Sequence, residues 1–225
     1  MINGIFTTIK VQDGTPLFFP KHERRLLTHA KATNLPYPTN LNQHIIDFIT
    51  DNNLTNCALR VTIARNTLEP LIQQRPLPEP QTDIAVITLP DTRDAHKIYK
   101  TTDRRVNEQA KAQAEKKNTN DALFTQKGKL VESTIANIFS LNQHGQLITP
   151  PIIGRGLNGT TRQVIMEHSP VIEEEIPVTT DGPLVLVNSL RLTTIKTLDG
   201  RELQNGKQLF QMVKQILTNA EQSEE

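Results

Sequence analysis

Leu130-Val131-Glu132-Ser133-Thr134-Ile135-Ala136-Asn137-Ile138-Phe139 sets one carboxylate inside a run that is otherwise apolar or small. The run predicts a strand pair entering a core. A carboxylate in such surroundings costs free energy unless something pairs with it. An arginine or lysine is the ordinary partner, and a protonated pyridine nitrogen is a more specific one. Downstream, Gly156-Leu157-Asn158-Gly159-Thr160-Thr161-Arg162 reads as a loop opening into a helix over 162–167, with Thr160 and Thr161 in position to cap it. Backbone N–H groups at a helix start attract an anion, and threonine hydroxyls add donors. An ordinary capped helix is the plainer reading of the same residues.

Working outward, Lys100 directly precedes a long polar helix predicted over 103–117. Lys97, Lys111, Lys116 and Lys117 compete with it for any chemical role, but lysines on a polar helix usually belong to a solvated face. The pattern Lys…Glu-Ser-Thr-x-x-Asn-Ile-Phe…Thr-Pro-Pro…Gly-x-x-Asn-Gly-Thr-Thr-Arg resembles the class IV aminotransferases. These are the fold type IV pyridoxal-phosphate enzymes, which include branched-chain aminotransferase, D-amino acid aminotransferase and 4-amino-4-deoxychorismate lyase. Gly4-Ile5-Phe6-Thr7-Thr8 resembles the start of the lyase branch's first long strand, and Asn188-Ser189-Leu190 its Asn-Ser-Leu near the C-terminus. His22-Glu23-Arg24-Arg25-Leu26 resembles the family's helix with a phosphate-binding arginine.

The resemblance implies an α/β (α+β) fold of two domains: a small N-terminal α/β domain over 1–92 and a C-terminal pseudo-barrel domain with helices over 93–225. It implies pyridoxal 5'-phosphate as cofactor, attached through a Lys100 Schiff base, with Glu132 on the pyridinium nitrogen. Arg25, Thr160, Thr161 and Ser189 would hold the phosphate, and Asn137 and Gly159 would complete the cofactor site. Thr8 and Asn188 are the candidate substrate contacts, and no metal is expected. A lysine that forms an imine needs a lowered pKa, which desolvation supplies, and once freed it becomes the general base.

The implied reaction is conversion of 4-amino-4-deoxychorismate to 4-aminobenzoate, a folate precursor, and pyruvate. The alternatives are a class IV aminotransferase acting on a D-amino or branched-chain amino acid, or an inactive relative that acts as a binding protein. The family also implies a homodimer with the site between the two domains of each subunit. Members usually begin earlier, with a further strand and an Asp-x-Gly…Gly-Asp-Gly stretch, so the first domain is expected to be shortened. The lyase branch's Gly-Gly-Arg-Gly-Tyr loop element is absent, which leaves Arg60 and Arg65 as possible substitutes. Each alternates with apolar neighbours, so a solvent-facing strand edge is expected for both.

Composition bounds the rest. At 225 residues and a formal net charge of +1, the chain suits one compact unit or two small domains and carries no electrostatic case for nucleic acid or an anionic membrane. Its one cysteine, Cys57, allows no intrachain disulfide and fits a reducing compartment. No signal peptide is expected in MINGIFTTIK, and no apolar run approaches a membrane span. A cytoplasmic protein is the resulting expectation; the small-molecule amine substrate is what the resemblance implies.

Element by element, strands are expected at 5–11, 17–19, 56–65, 83–89, 121–125, 184–189 and 192–198, with a hairpin of 138–141 and 147–149 through His144-Gly145. Asp13-Gly14 is a hairpin turn signal and Lys127-Gly128 another turn. Helices are expected at 22–33, with Arg24 solvated, at 41–52 and at 207–219. Residues 66–81 and 90–96 read as loops, Glu173–Glu175 as a solvated acidic run and 221–225 as a frayed tail.

Overall fold

The computed structural model describes residues 2–223. The chain divides into two compact units. The first runs up to Glu79 and includes Tyr99–Asp103; the second comprises Pro80–Ile98 and the residues from Arg104 on. The 92/93 boundary expected from the sequence falls inside the second unit.

The first unit is an antiparallel sheet carrying two helices. Strand β1 (Gly4–Gln12) turns at Asp13-Gly14, both with positive φ, as a two-residue hairpin turn requires. The return strand β2 is only Thr15–Pro16. The expected strand at 17–19 gives way to helix α1 (Phe19–Thr33), because Pro20 lies in its first turn, where the missing N–H is no loss. Helix α2 (Leu41–Asp51), β3 (Cys57–Ala64) and β4 (Leu71–Arg75) follow, giving the order β2-β1-β3-β4. The expected loop at 66–81 therefore contains a strand. Its polar sequence LIQQR is mostly exposed and pairs along β3 at the sheet edge. Ile5, Ile9 and Val11 alternate along β1 and pack with Leu26, Ala30, Ile45 and Ile49 of the helices. Burying one such side chain fully contributes about 1.5–3 kcal/mol.

The second unit is a nine-stranded, curled sheet with three helices. In chain order come β5 (Ile84–Pro90), a 3-10 turn (Ala95–Ile98), α3 (Arg105–Lys116), β6 (Asp121–Gln126), β7 (Lys129–Ser133), β8 (Asn137–Leu141), β9 (Leu147–Thr149), α4 (Thr160–His168), β10 (Ile172–Glu173), β11 (Leu184–Asn188), β12 (Arg191–Leu198), β13 (Arg201–Glu202) and α5 (Lys207–Gln222). The strand order is β10-β9-β8-β11-β12-β5-β6-β7, with β13 on β12. The two strands read from Leu130–Phe139 both form, yet they are not ladder neighbours. β7 ends the sheet and β8 pairs with β9 and β11, while a turn with Ser133 N–H donating to Ala136 O joins them.

The sheet buries Ile84, Val86, Leu123, Leu130, Ile138, Leu184 and Ile195 on one side. Helices α4 and α5 cover Phe139, Val185 and Val187, and α3 lays Ala110 and Ala114 against Ile87, Ala122 and Phe124. Helix α5 runs to Gln222, past the tail expected from 221; Glu224 and Glu225 lie outside the described residues. The acidic run is not simply solvated, since Glu173 pairs with the buried Arg162 and Glu175 with Arg155.

Candidate active site

The first unit brings Thr7, His22, Arg25, His29 and Lys100 together. His22, Arg25 and His29 follow at helical spacing of three and four, so they share the buried face of α1, whereas Arg24 is exposed as expected. Thr7, on β1, meets this face. Arg25 Nη2 donates to Thr7 Oγ1 at 2.8 Å, and Thr7 Oγ1 lies 2.6 Å from His22 Nδ1. The Thr7 hydroxyl thus accepts from Arg25 and shares a second hydrogen bond with the His22 imidazole. Burial, then the charges of Arg25 and Lys100, hold His22 well below its usual pKa.

Arg25 is 8% exposed; its Nε is buried without a partner, and no carboxylate pairs with it among the described residues. Burial alone lowers its pKa to about 10. A desolvated guanidinium without a counter-ion is a strong anion site.

Lys100 is tied to β1 by its main chain: Phe6 N–H donates to Lys100 O at 2.9 Å, and Thr102 N–H to Gly4 O at 2.9 Å. Its Nζ stands 4.9 Å from the Phe6 ring centroid, and the Arg60 guanidinium 3.8 Å from the same ring. Arg60 is thus half-buried and stacked rather than solvent-facing. Arg65 is also not on a solvent-facing edge; it donates to the carbonyls of Ile2, Thr33 and Asn34, clasping β1 to the end of α1. Thr8 is half-buried and registers opposite Arg60.

In the second unit Glu132 is 5% exposed and has the ordinary partner that the sequence allows, an arginine. Arg93 Nη1 donates to Glu132 Oε1 at 2.6 Å, while its Nε donates to Asp91 Oδ1 at 2.9 Å and its plane lies 4.0 Å over Phe124. Lys97 and Gln126 complete the coordination of Asp91. Arg93 and Lys97 thus meet the carboxylates of Asp91 and Glu132 in one network. Burial would raise the Asp91 pKa, but the hydrogen bonds and charges of Arg93 and Lys97 outweigh it and hold Asp91 below the usual range. Leu157 N–H also points at both Glu132 oxygens, at 3.3 and 3.2 Å.

Sequence reasoning read 90–96 as a polar link and so missed Arg93. The signal was the Asp91-x-Arg93 pair directly after an apolar strand. Its importance depends on a residue 39 positions away.

Two glycines let the loop before α4 close on this carboxylate. A Cβ on Gly156 would lie 3.0 Å from Glu132 Oε1, and one on Gly159 would overlap Asn137 Oδ1. Asn137 Nδ2 in turn donates to Leu157 O at 2.9 Å, so Asn137 and Gly159 together set the path of the loop. Gly159 is the extended N-cap of α4, which starts at Thr160; the threonines occupy the first helical positions and make no side-chain cap. Their N–H groups remain those of a helix start, which has no intrahelical acceptors for its first four. Thr160 Oγ1 lies 3.1 Å from Ser189 Oγ, so two hydroxyls meet at this end of α4. Asn188 is engaged differently: its Oδ1 accepts from Leu190 and Arg191 N–H and shapes the β11–β12 turn.

Each unit, taken by itself, offers groups that suit a phosphorylated pyridine. The first has a buried guanidinium without a counter-ion; the second has a helix start with hydroxyls, a buried carboxylate and glycines where a side chain would fill the space. The chain matches the family model for amino-transferase class IV over residues 4–194 and belongs to that family, whose members are pyridoxal-phosphate enzymes.

A provisionally named branched-chain-amino-acid aminotransferase of Methanocaldococcus jannaschii is 25% identical, over 95% of this chain and 84% of its own length. Among solved structures, a provisionally named 4-amino-4-deoxychorismate lyase of Legionella pneumophila superposes with a TM-score of 0.86 at 22% identity, over 98% of this chain and 92% of that one. A hypothetical aminotransferase of Mycobacterium tuberculosis in its PLP-bound form gives a TM-score of 0.83 at 21% identity, over 99% and 90%. Among the described residues, no helix is long and apolar enough to cross a membrane.

Proposed function

We propose that the protein is a pyridoxal-phosphate-dependent lyase that converts 4-amino-4-deoxychorismate to 4-aminobenzoate and pyruvate. The observation that carries the cofactor assignment is Glu132, a carboxylate sequestered among apolar residues and held in orientation by Arg93 and Leu157 N–H. In this reading Glu132 pairs with the pyridinium nitrogen, and Arg25, Thr160, Thr161 and Ser189 hold the phosphate. Asn137 and Gly159 shape the loop that leads to it, and Thr8 and Asn188 belong to the substrate side.

The cofactor, when bound, supplies an electron sink for the substrate carbon that carries nitrogen. Lys100 is the attachment point. Its freed ε-amine takes the proton from that carbon and returns one to the departing enolpyruvyl group. The C–O bond to that group breaks, the ring becomes aromatic as 4-aminobenzoate, and the enol becomes pyruvate. Gly4–Thr8, Asn158-Gly159 and Asn188-Ser189-Leu190, with the Legionella relative, favour this reaction. The Methanocaldococcus relative favours a second reading, amino-group exchange with a 2-oxo acid.

Supplying 4-amino-4-deoxychorismate to the cofactor-loaded protein tests the choice. Release of pyruvate and 4-aminobenzoate in equal amounts is expected. Amino transfer to 2-oxo acids without pyruvate release from that substrate would overturn the lyase reading. A homodimer in the cytoplasm completes the proposal.

A further inference from the structure

Lys100 carries its reactive amine on a short segment that is itself part of no helix or long strand, Tyr99–Asp103, which packs within the first unit. What holds that segment decides where the amine points. Its carbonyl is bonded to Phe6 N–H, and its amide N–H donates to His29 Nδ1 at 3.2 Å. The imidazole itself is 9% exposed and meets the Tyr99 ring edge-on, with centroids 5.3 Å apart and planes at 75°. His29 stands one helical turn after Arg25 on the same face of α1.

We propose that His29 is a positioning residue for Lys100, its Nδ1 lone pair anchoring the Lys100 main chain so that one face of α1 both presents the phosphate-binding arginine and aims the reacting lysine. The proposal rests on the reading of Lys100 given above.

A buried imidazole is often no more than packing. Here, however, a proton on Nδ1 would turn the acceptor into a donor facing another donor, so the contact requires the neutral Nε2–H tautomer. The surroundings enforce the neutral form: burial, then the positive charges of Arg25 and Lys100, lower the His29 pKa to about 4. Without His29 the Lys100 amide would lose its acceptor beside Tyr99, and a donor left unpaired costs more than the bond itself contributes.

Amide hydrogen exchange at Lys100 in the cofactor-free protein tests the contact directly. In His29→Leu, exchange at Lys100 is expected to quicken roughly tenfold, in line with loss of one neutral hydrogen bond. His29→Asn, whose Oδ1 lies near the Nδ1 position, should restore protection. With pyridoxal phosphate and substrate, His29→Leu should lose roughly tenfold in kcat with KM little changed, and His29→Asn should recover it. His29→Phe serves the same purpose if the leucine variant does not fold.

Unchanged exchange at Lys100 in the leucine or phenylalanine variant, or an asparagine variant no better than leucine, would overturn the proposal. Borohydride trapping separates this failure from failure of its premise. Trapping of the cofactor on another lysine overturns the reading of Lys100, and the proposal with it. Trapping on Lys100 with unchanged exchange overturns the proposal alone.

Discussion

Single residues set both the chemistry and the local packing. Lys100→Ala should lower turnover by roughly a thousandfold or more while leaving the fold intact, as judged by circular dichroism and steady-state kinetics. Lys100 is partly exposed, so its removal opens no deep cavity. Glu132→Gln keeps the shape of the side chain and removes its charge. It should reduce turnover on the order of a hundredfold by weakening the partner of the ring nitrogen. It should also loosen Arg93, which retains Asp91. Turnover of Glu132→Gln within twofold of the parent would count against its assigned role. Gly159→Ala drives a Cβ toward Asn137 Oδ1 and should destabilise by about 1–3 kcal/mol in urea unfolding. The strain here is contact, not backbone conformation, because Gly159 has φ −63°. Asn137→Ala in the same chain should therefore relieve part of the loss, and a double-mutant cycle that came out additive would refute the contact.

At the scale of elements, the proposed phosphate contacts on α1 and at the start of α4 rest on different physics. Helix α1 uses a buried guanidinium, and α4 uses backbone N–H groups and hydroxyls. Arg25→Lys keeps a charge but not the fork, so pyridoxal phosphate affinity should fall by roughly tenfold or more in a fluorescence titration. Equal affinity would remove Arg25 from the phosphate. These elements were largely legible in the sequence. Asp13-Gly14 marks the hairpin, the run at Glu132 marks the strand pair, and Thr160-Thr161 mark the approach to a helix expected from Arg162. What escaped was non-local. LIQQR has no apolar alternation and becomes a strand only because β3 offers a ladder edge. Arg93 looked like a linker residue until Glu132 was beside it in space. Nothing in the sequence singles out His29 within the helix expected at 22–33, because its partner lies 71 positions on. The threonines at α4 were legible as a helix start but not as its first turn, since capping depends on the extended Gly159.

For the whole molecule, buried neutral histidines tie stability to pH. His29 has a folded pKa of about 4 against a usual 6.5, and His22 is shifted in the same direction. The unfolded chain therefore binds protons that the folded chain refuses as pH falls below about 6.5. Stability is full above that value, declines on acidification, and stops declining on account of His29 below about 4. For that residue the loss is on the order of 3 kcal/mol. Thermal unfolding followed from pH 7 to pH 4 should show the decline, and His29→Asn should make it shallower, leaving the share of His22; a curve independent of pH over this range would contradict the buried neutral imidazoles.

The central claim is that this chain holds pyridoxal phosphate on Lys100, and one measurement addresses it most directly. The protein is incubated with pyridoxal phosphate, reduced with borohydride, digested and read by peptide mass spectrometry. The account predicts a stable pyridoxyl adduct on the peptide containing Lys100, accompanied by loss of the visible absorption band. An adduct on Lys97 or a lysine of α3, or no adduct at all, would contradict it.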